Sequence, residues 1–120
     1  HPNHPRALRG SAGSLLRLPV AVGVTPEALA RHLASLAPDA PRWAALVPRG
    51  GTDLYAAPLA GTLVLALGAE GPGLSAAASA LADLALTIPV EPPVESLNAV
   101  VAAALVLFEM RRQKPPRSMV

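Results

Sequence analysis

A run of apolar residues broken by neither charge nor alternation, Thr62–Leu67, opens directly into Gly68-Ala69-Glu70-Gly71-Pro72-Gly73. A strand with one wet face alternates apolar and polar side chains. This one does not, so it reads as a strand covered on both faces, the pattern of a parallel sheet with helices on either side. A second segment repeats the theme: Leu84–Ile88 is a short apolar strand that enters Pro89-Val90-Glu91-Pro92-Pro93-Val94-Glu95-Ser96 before a helix begins. Two buried strands, each ending in a loop of unusual chemistry, predict a small-molecule pocket made mostly of backbone.

The rest of the chain supplies partners for those strands. Arg6 to Arg17 carries helical periodicity through Ala7, Leu8, Ser11, Leu15 and Leu16, and Pro19 ends it. Val20–Val24 is a β-branched run that reads as a strand. Thr25-Pro26-Glu27 joins a capping hydroxyl, a proline at the first helical position and an acid in the first turn. That helix runs through Leu29, His32, Leu33 and Leu36 and stops before Pro38, with His32 on its outer or half-buried face. Trp43–Val47 is a further strand, and Arg49-Gly50-Gly51-Thr52-Asp53 a loop. Ser75 caps a helix through about Asp83, and Leu97 to Arg112 closes the fold as a helix. Strand and helix alternate, so the expected class is α/β with a mainly parallel sheet flanked by helices.

Composition sets the outer limits. The chain has 120 residues, enough for one domain with a real core, and is 52% hydrophobic. Its longest uncharged stretches, Leu54–Ala69 and Ser96–Phe108, fall short of the roughly 18 to 20 apolar residues that cross a bilayer, so no membrane association is expected and a cytoplasmic location is the default. With no cysteine, disulfides, Cys-zinc sites and thiol nucleophiles are excluded. The net charge is +2, and the cations are bunched: Arg6, Arg9 and Arg17 near the start, Arg111, Arg112, Lys114 and Arg117 near the end. Such clusters could neutralise phosphates, but charge alone favours a solvated surface with a basic tail over 113–120. His1-Pro2-Asn3-His4-Pro5 is read as a flexible terminus, 1–5, because its two histidines have no carboxylate nearby to complete a metal site. The chain does not start with Met and reads as a piece of a longer protein.

In the final helix Val100, Val101, Ala104, Leu105 and Phe108 form one apolar stripe, and Ala99, Ala102, Ala103, Val106 and Leu107 occupy the other side where charges would be expected. A helix apolar all round needs cover all round, which predicts a homodimer through this element.

The glycine loop has the order G-x-x-G-x-G, the reverse of the dinucleotide fingerprint. No later acid fills the ribose-binding role, and no P-loop lysine follows. Its glycines let main chain approach a ligand closely, or simply make a tight turn; a turn alone does not explain Glu70, an acid it has no need of. Ser96 is a natural N-cap. Asn98 is then expected in the first turn of an apolar helix, where a buried amide without partners would be costly.

The segments GAEGPGLS and IPVEPPVESLNAVVAAALVLFE closely resemble the second and third signature motifs of the SpoU, or TrmH-like, RNA ribose methyltransferases of the SPOUT superfamily. RGSAGSLLRLPV and GGTDLYAAPLAG resemble the family's connecting segments, so the likeness spans nearly the whole chain. It implies a C-terminal trefoil knot within about residues 43–112 of a partial methyltransferase domain, 6–112, whose loops hold S-adenosylmethionine in a homodimer. Transferred position by position, backbone at Gly68, Ile88 and Leu97 would hold the cofactor, and Leu67 and Pro89 would line it. Glu70, Ser96 and Asn98 match the polar active-site positions. The implied reaction is 2′-O-methylation of ribose in ribosomal or transfer RNA, with Arg9 and Arg17 as candidate contacts to the RNA backbone.

The chain departs from the pattern at Ala69, where the family often has Asn, at Pro92, where Gly is usual, and at Ala99, where Val is common. The family's first motif, rich in asparagine and carrying an arginine, is expected upstream of His1, because Asn3 and Asn98 are the only asparagines present. Two classes compete with this: a non-catalytic RNA-binding or dimerisation module of the same fold, and an unrelated α/β enzyme whose glycine loop holds a phosphate. Against the second stands Glu70, an acid that would repel an anion in a loop with nothing basic.

Overall fold

The computed structural model of the protein describes residues 1–36 and 38–116. Arg117, part of the expected basic tail, lies outside them. Four strands form one sheet in the order β2-β4-β1-β3, all pairs parallel: β1 (Arg42–Leu46), β2 (Thr52–Asp53), β3 (Leu63–Ala66) and β4 (Leu84–Thr87). Among the described residues four α-helices accompany it: α1 (Pro5–Gly10), α2 (Pro26–Leu36), α3 (Ala76–Ala80) and α4 (Ala99–Gln113). The expected α/β class with a parallel sheet is therefore the observed one.

Register explains how the core forms. Ala44 lies between Leu65 of β3 and Leu84 of β4, and Leu46 pairs with Leu86. Side chains alternate across a sheet, so these residues share one face. There they meet Leu54, Ala57 and Leu59 of the segment after β2, together with Val106 of α4. Leu59, Leu86 and Val106 are the largest fully buried side chains. On the opposite register Trp43 and Ala45 are also buried, and α2 and α3 pack against one another.

Local signals behaved as their chemistry dictates. Thr25 Oγ1 accepts from the Ala28 amide at 3.2 Å at the start of α2, and Ser75 Oγ accepts from Ala78 at 3.2 Å at the start of α3. His32 is exposed on α2.

Five expectations need correction. Val20–Val24 forms no strand. Its valines are exposed, Val22 by 62%, and a β-branched run without a neighbouring ladder has nothing to pair with. The helix expected from Arg6 to Arg17 stops at Gly10, and a single 3₁₀ turn follows at Ser14–Leu16. Ala12 and Gly13 take φ of +49° and +81°, which no helix accommodates. α1 itself begins inside the expected flexible terminus, with His4 Nδ1 accepting from Arg6 at 3.2 Å. β3, expected to be covered on both faces, lies at an edge of the sheet and is half-buried throughout. The loop at 49–53 gives its last two residues to β2, the opposite edge.

Candidate functional site

Parallel strands in one sheet all end on the same side, and in open α/β sheets ligands bind beyond those carboxyl ends. Here β4, β1 and β3 are neighbours, and the loops leaving them surround a cavity of about 590 Å³ that also takes in the start of α4. β1 contributes Leu46, Val47 and Pro48; β3 continues into Leu67, Gly68, Ala69 and Glu70; β4 leads to Ile88 and Val90; and the approach to α4 brings Glu95, Ser96, Leu97, Asn98 and Ala99. Leu67, Gly68, Glu70, Ile88, Ser96, Leu97 and Asn98, separated by up to thirty-one positions in the chain, thus share one cavity. Pro89 lines an adjoining cleft instead, and Arg9 and Arg17 are exposed and line neither.

The glycine loop owes its shape to main-chain crowding. Ala69 and Gly73 exchange two backbone hydrogen bonds, of 3.2 and 3.0 Å, so that Glu70, Gly71 and Pro72 form the tip of a closed loop. Gly71 and Gly73 have φ of +88° and +73°, the region that favours glycine. At Gly68 the constraint is contact. A Cβ there would stand 2.4 Å from the Gly73 carbonyl carbon and 2.6 Å from the Leu74 nitrogen, closer than real atoms approach. Among the described residues, the backbone groups of Gly68, Ile88 and Leu97 take no hydrogen-bond partner. The same holds for Leu67, Glu70, Val90, Glu95 and Ser96, so the cavity is rimmed by open main-chain donors and acceptors that a ligand with matching groups would satisfy.

The polar side chains divide differently from expectation. α4 begins at Ala99, and its N-cap is Asn98, whose Oδ1 accepts from Val100 at 2.9 Å and Val101 at 3.4 Å. Asn98 is therefore outside the helix and exposed. Ser96 takes no part in capping and is exposed beside the cavity. Glu70 is exposed on the loop tip. Among the described residues the cavity wall carries two carboxylates, Glu70 and Glu95, and no lysine or arginine.

Sequence reading missed Pro48 and Glu95, and it treated Arg49-Gly50-Gly51 only as a loop. The signal was present, since that loop leaves an apolar strand as the glycine loop leaves β3. No cluster of three or more His, Asp or Glu able to hold a metal occurs among the described residues, and no helix there is long and apolar enough to cross a membrane.

The comparisons with known proteins agree with this geometry. Residues 1–108 match the SpoU rRNA Methylase family. An uncharacterized tRNA/rRNA methyltransferase of Mycobacterium sp. (strain KMS) is 41% identical over 90% of this chain and 33% of its own length. One from Synechocystis sp. is 34% identical over 94% of this chain and 40% of its own length. The chain thus spans a third to two-fifths of the curated relatives it matches. Among solved structures, the SpoU methyltransferase AviRb from Streptomyces viridochromogenes, in complex with the cofactor AdoMet, superposes with a TM-score of 0.86 at 29% identity, covering 94% of this chain and 43% of that one. An AdoMet-bound rRNA methyltransferase from Sinorhizobium meliloti gives 0.82 at 25% identity, covering 96% and 43%. With residues 1–108 of its 120 matched, the chain belongs to the SpoU rRNA Methylase family.

Proposed function

We propose that this chain forms the S-adenosylmethionine pocket of an RNA 2′-O-ribose methyltransferase acting on ribosomal or transfer RNA. The observation that carries the reading is the convergence of Gly68, Ile88 and Leu97, with their backbone groups open, on one cavity beside Glu70, Ser96 and Asn98. At about 590 Å³ the cavity lies within the ~300–1,000 Å³ typical of small-ligand and cofactor sites. Its walls pair apolar surface from Leu46, Leu67, Ile88 and Leu97 with main-chain groups that can read a purine edge, and its two carboxylates complement a cationic ligand.

When bound, S-adenosylmethionine supplies an electrophilic methyl group on a sulfonium. The ribose 2′-hydroxyl is weakly acidic, so the protein's part is to align it and take or share its proton in a place that excludes water. In this reading Glu70, at the tip of the loop closed by the Ala69–Gly73 pair, receives that proton and Ser96 hydrogen-bonds the acceptor; their shared position on the cavity wall supports these roles. Asn98 acts by fixing the start of α4, and so the position of Leu97, through its cap.

The same proposal extends to architecture. α4 exposes Val100 by 76% and Phe108 by 77%, with Val101 and Leu105 between them, which supports a homodimer through this helix. Its far end is tied to the segment after β2: Gln113 Oε1 accepts from Leu59 at 2.8 Å, and Nε2 donates to the Ala57 carbonyl at 2.9 Å. The proposal includes the trefoil knot that the family likeness implies for this part of the chain. A cytoplasmic location follows from an RNA substrate, and Arg9 and Arg17 remain candidates for its phosphates.

The test is transfer of labelled methyl from S-adenosylmethionine to total tRNA and rRNA by the full-length protein, followed by alkaline hydrolysis. A 2′-O-methyl group protects the adjacent phosphodiester, so the label should appear in alkali-resistant dinucleotides. Label only in mononucleotides would place the methyl on a base, and absence of transfer by a protein that binds the cofactor would favour the non-catalytic module.

A further inference from the structure

A second cleft, of about 670 Å³, opens beside the cavity just described and shares Pro48, Ile88, Val90 and Glu95 with it. It lies between the turn after β1 and the proline-rich loop after β4. Its chemistry differs. Among the described residues Arg49 is the only lysine or arginine lining either space, while Pro89, Pro92 and Pro93 give the opposite wall rings without N–H donors.

Arg49 sits on an anchored turn. Thr87, the last residue of β4, closes Val47–Gly51 with one hydroxyl: its Oγ1 accepts from the Gly51 amide at 2.9 Å and donates to the Val47 carbonyl at 3.1 Å. Gly51 lies so close to β4 that a Cβ would stand 2.8 Å from Ala85 O and Leu86 C. Gly50 has φ of +79°, so the chain reverses where only glycine does so without strain. The turn is therefore fixed to the sheet at both ends, with Arg49 between them.

We propose that this cleft is the acceptor-nucleotide subsite and that Arg49 binds a phosphate of the RNA there. This rests on the reading of the neighbouring cavity as the cofactor pocket. An enzyme that methylates a polyanion needs the acceptor beside the cofactor and a cation to hold its backbone; the first cavity has none, and the second has one on a rigid support. A guanidinium also suits phosphate through paired N–H donors. Glu95, on the shared wall, repels phosphate and accepts from hydroxyls, so it orients the nucleotide with its phosphate toward Arg49 and its ribose toward the cofactor. Apolar proline walls suit the faces of a base.

The test uses the full-length protein, saturated with S-adenosylhomocysteine, and a fluorescein-labelled 20-nucleotide RNA of mixed sequence titrated at several salt concentrations. Arg49→Ala should weaken RNA binding and reduce the slope of log affinity against log salt by about one, the mark of one lost phosphate contact, with S-adenosylhomocysteine affinity unchanged. Thr87→Val, which frees the turn but keeps the charge, should weaken RNA binding less than Arg49→Ala. An Arg49→Ala protein with wild-type RNA affinity and salt slope overturns the subsite while leaving the cofactor pocket intact. So does a wild-type protein that binds S-adenosylhomocysteine but not RNA. Failure to bind S-adenosylhomocysteine overturns both readings.

Discussion

At the scale of single residues, Asn98 shows how a motif position acquires its role. Its sequence context suggested an amide inside the first turn of α4, yet the helix begins one residue later and the amide oxygen caps two backbone N–H groups. Ser96 and Asn98 are both good caps, two positions apart, and sequence cannot choose between them; the geometry of the approach to α4 does. Removing such a cap typically costs about 1 kcal/mol. Asn98→Ala should therefore lower chemical-denaturation stability by roughly that amount, and Asn98→Asp, which keeps an acceptor, should restore most of it. If Asn98→Ala leaves stability unchanged, the cap is not what fixes Leu97. Gly68 gives a sharper case. Its Cβ would collide with backbone rather than a movable side chain, so Gly68→Ala must displace the glycine loop, at ~1–3 kcal/mol typical of overpacking. Loss of cofactor affinity beyond the loss of stability is the expected calorimetric result.

At the scale of elements, α4 does two jobs on two faces. Toward the core it presents Ala102, Val106 and Glu109; away from it, an unbroken apolar stripe. The buried acid is tolerated because it is fully engaged. Arg112 donates to it from Nε at 2.8 Å and Nη2 at 2.7 Å, and Gln113 from Nε2 at 2.8 Å. These bonds, Arg112's first and Gln113's second, lower the Glu109 carboxyl to about 2 from its usual 4.5. A depressed folded-state value stabilises the protein above the unfolded value and ceases to do so as pH falls through the folded one. The melting-temperature advantage of wild type over Glu109→Gln should therefore be full above about pH 5, shrink between roughly pH 4.5 and 2, and vanish below that. A difference independent of pH would mean the carboxylate is not charged in the fold. On the outer face, Phe108→Glu should convert the proposed dimer to monomers in sedimentation without lowering stability of the monomer, since Phe108 is 77% exposed, and a wild-type protein that sediments as a monomer would overturn the proposed dimer.

At the scale of the whole molecule, what was legible in the sequence was local or periodic. The capping of α2 by Thr25 and of α3 by Ser75, the apolar runs of β1, β3 and β4, and the long apolar helix follow from side-chain chemistry within a few residues. The shared cavity of Leu67, Gly68, Ile88 and Leu97 follows once the strands are parallel and adjacent. What stayed hidden depends on contacts far apart in the chain. Val20–Val24 has strand composition but no ladder to join, the Gln113 clasp spans 54 and 56 positions, and the Thr87 staple spans 36 and 40. Arg49 looked like part of an ordinary loop until β4 came beside it. The central claim is that backbone from three remote segments forms a cofactor pocket in this chain, and isothermal titration of the folded 120-residue protein with S-adenosylmethionine and S-adenosylhomocysteine tests it most directly. One site per chain for both compounds is the predicted result; a folded protein that binds neither would contradict the account.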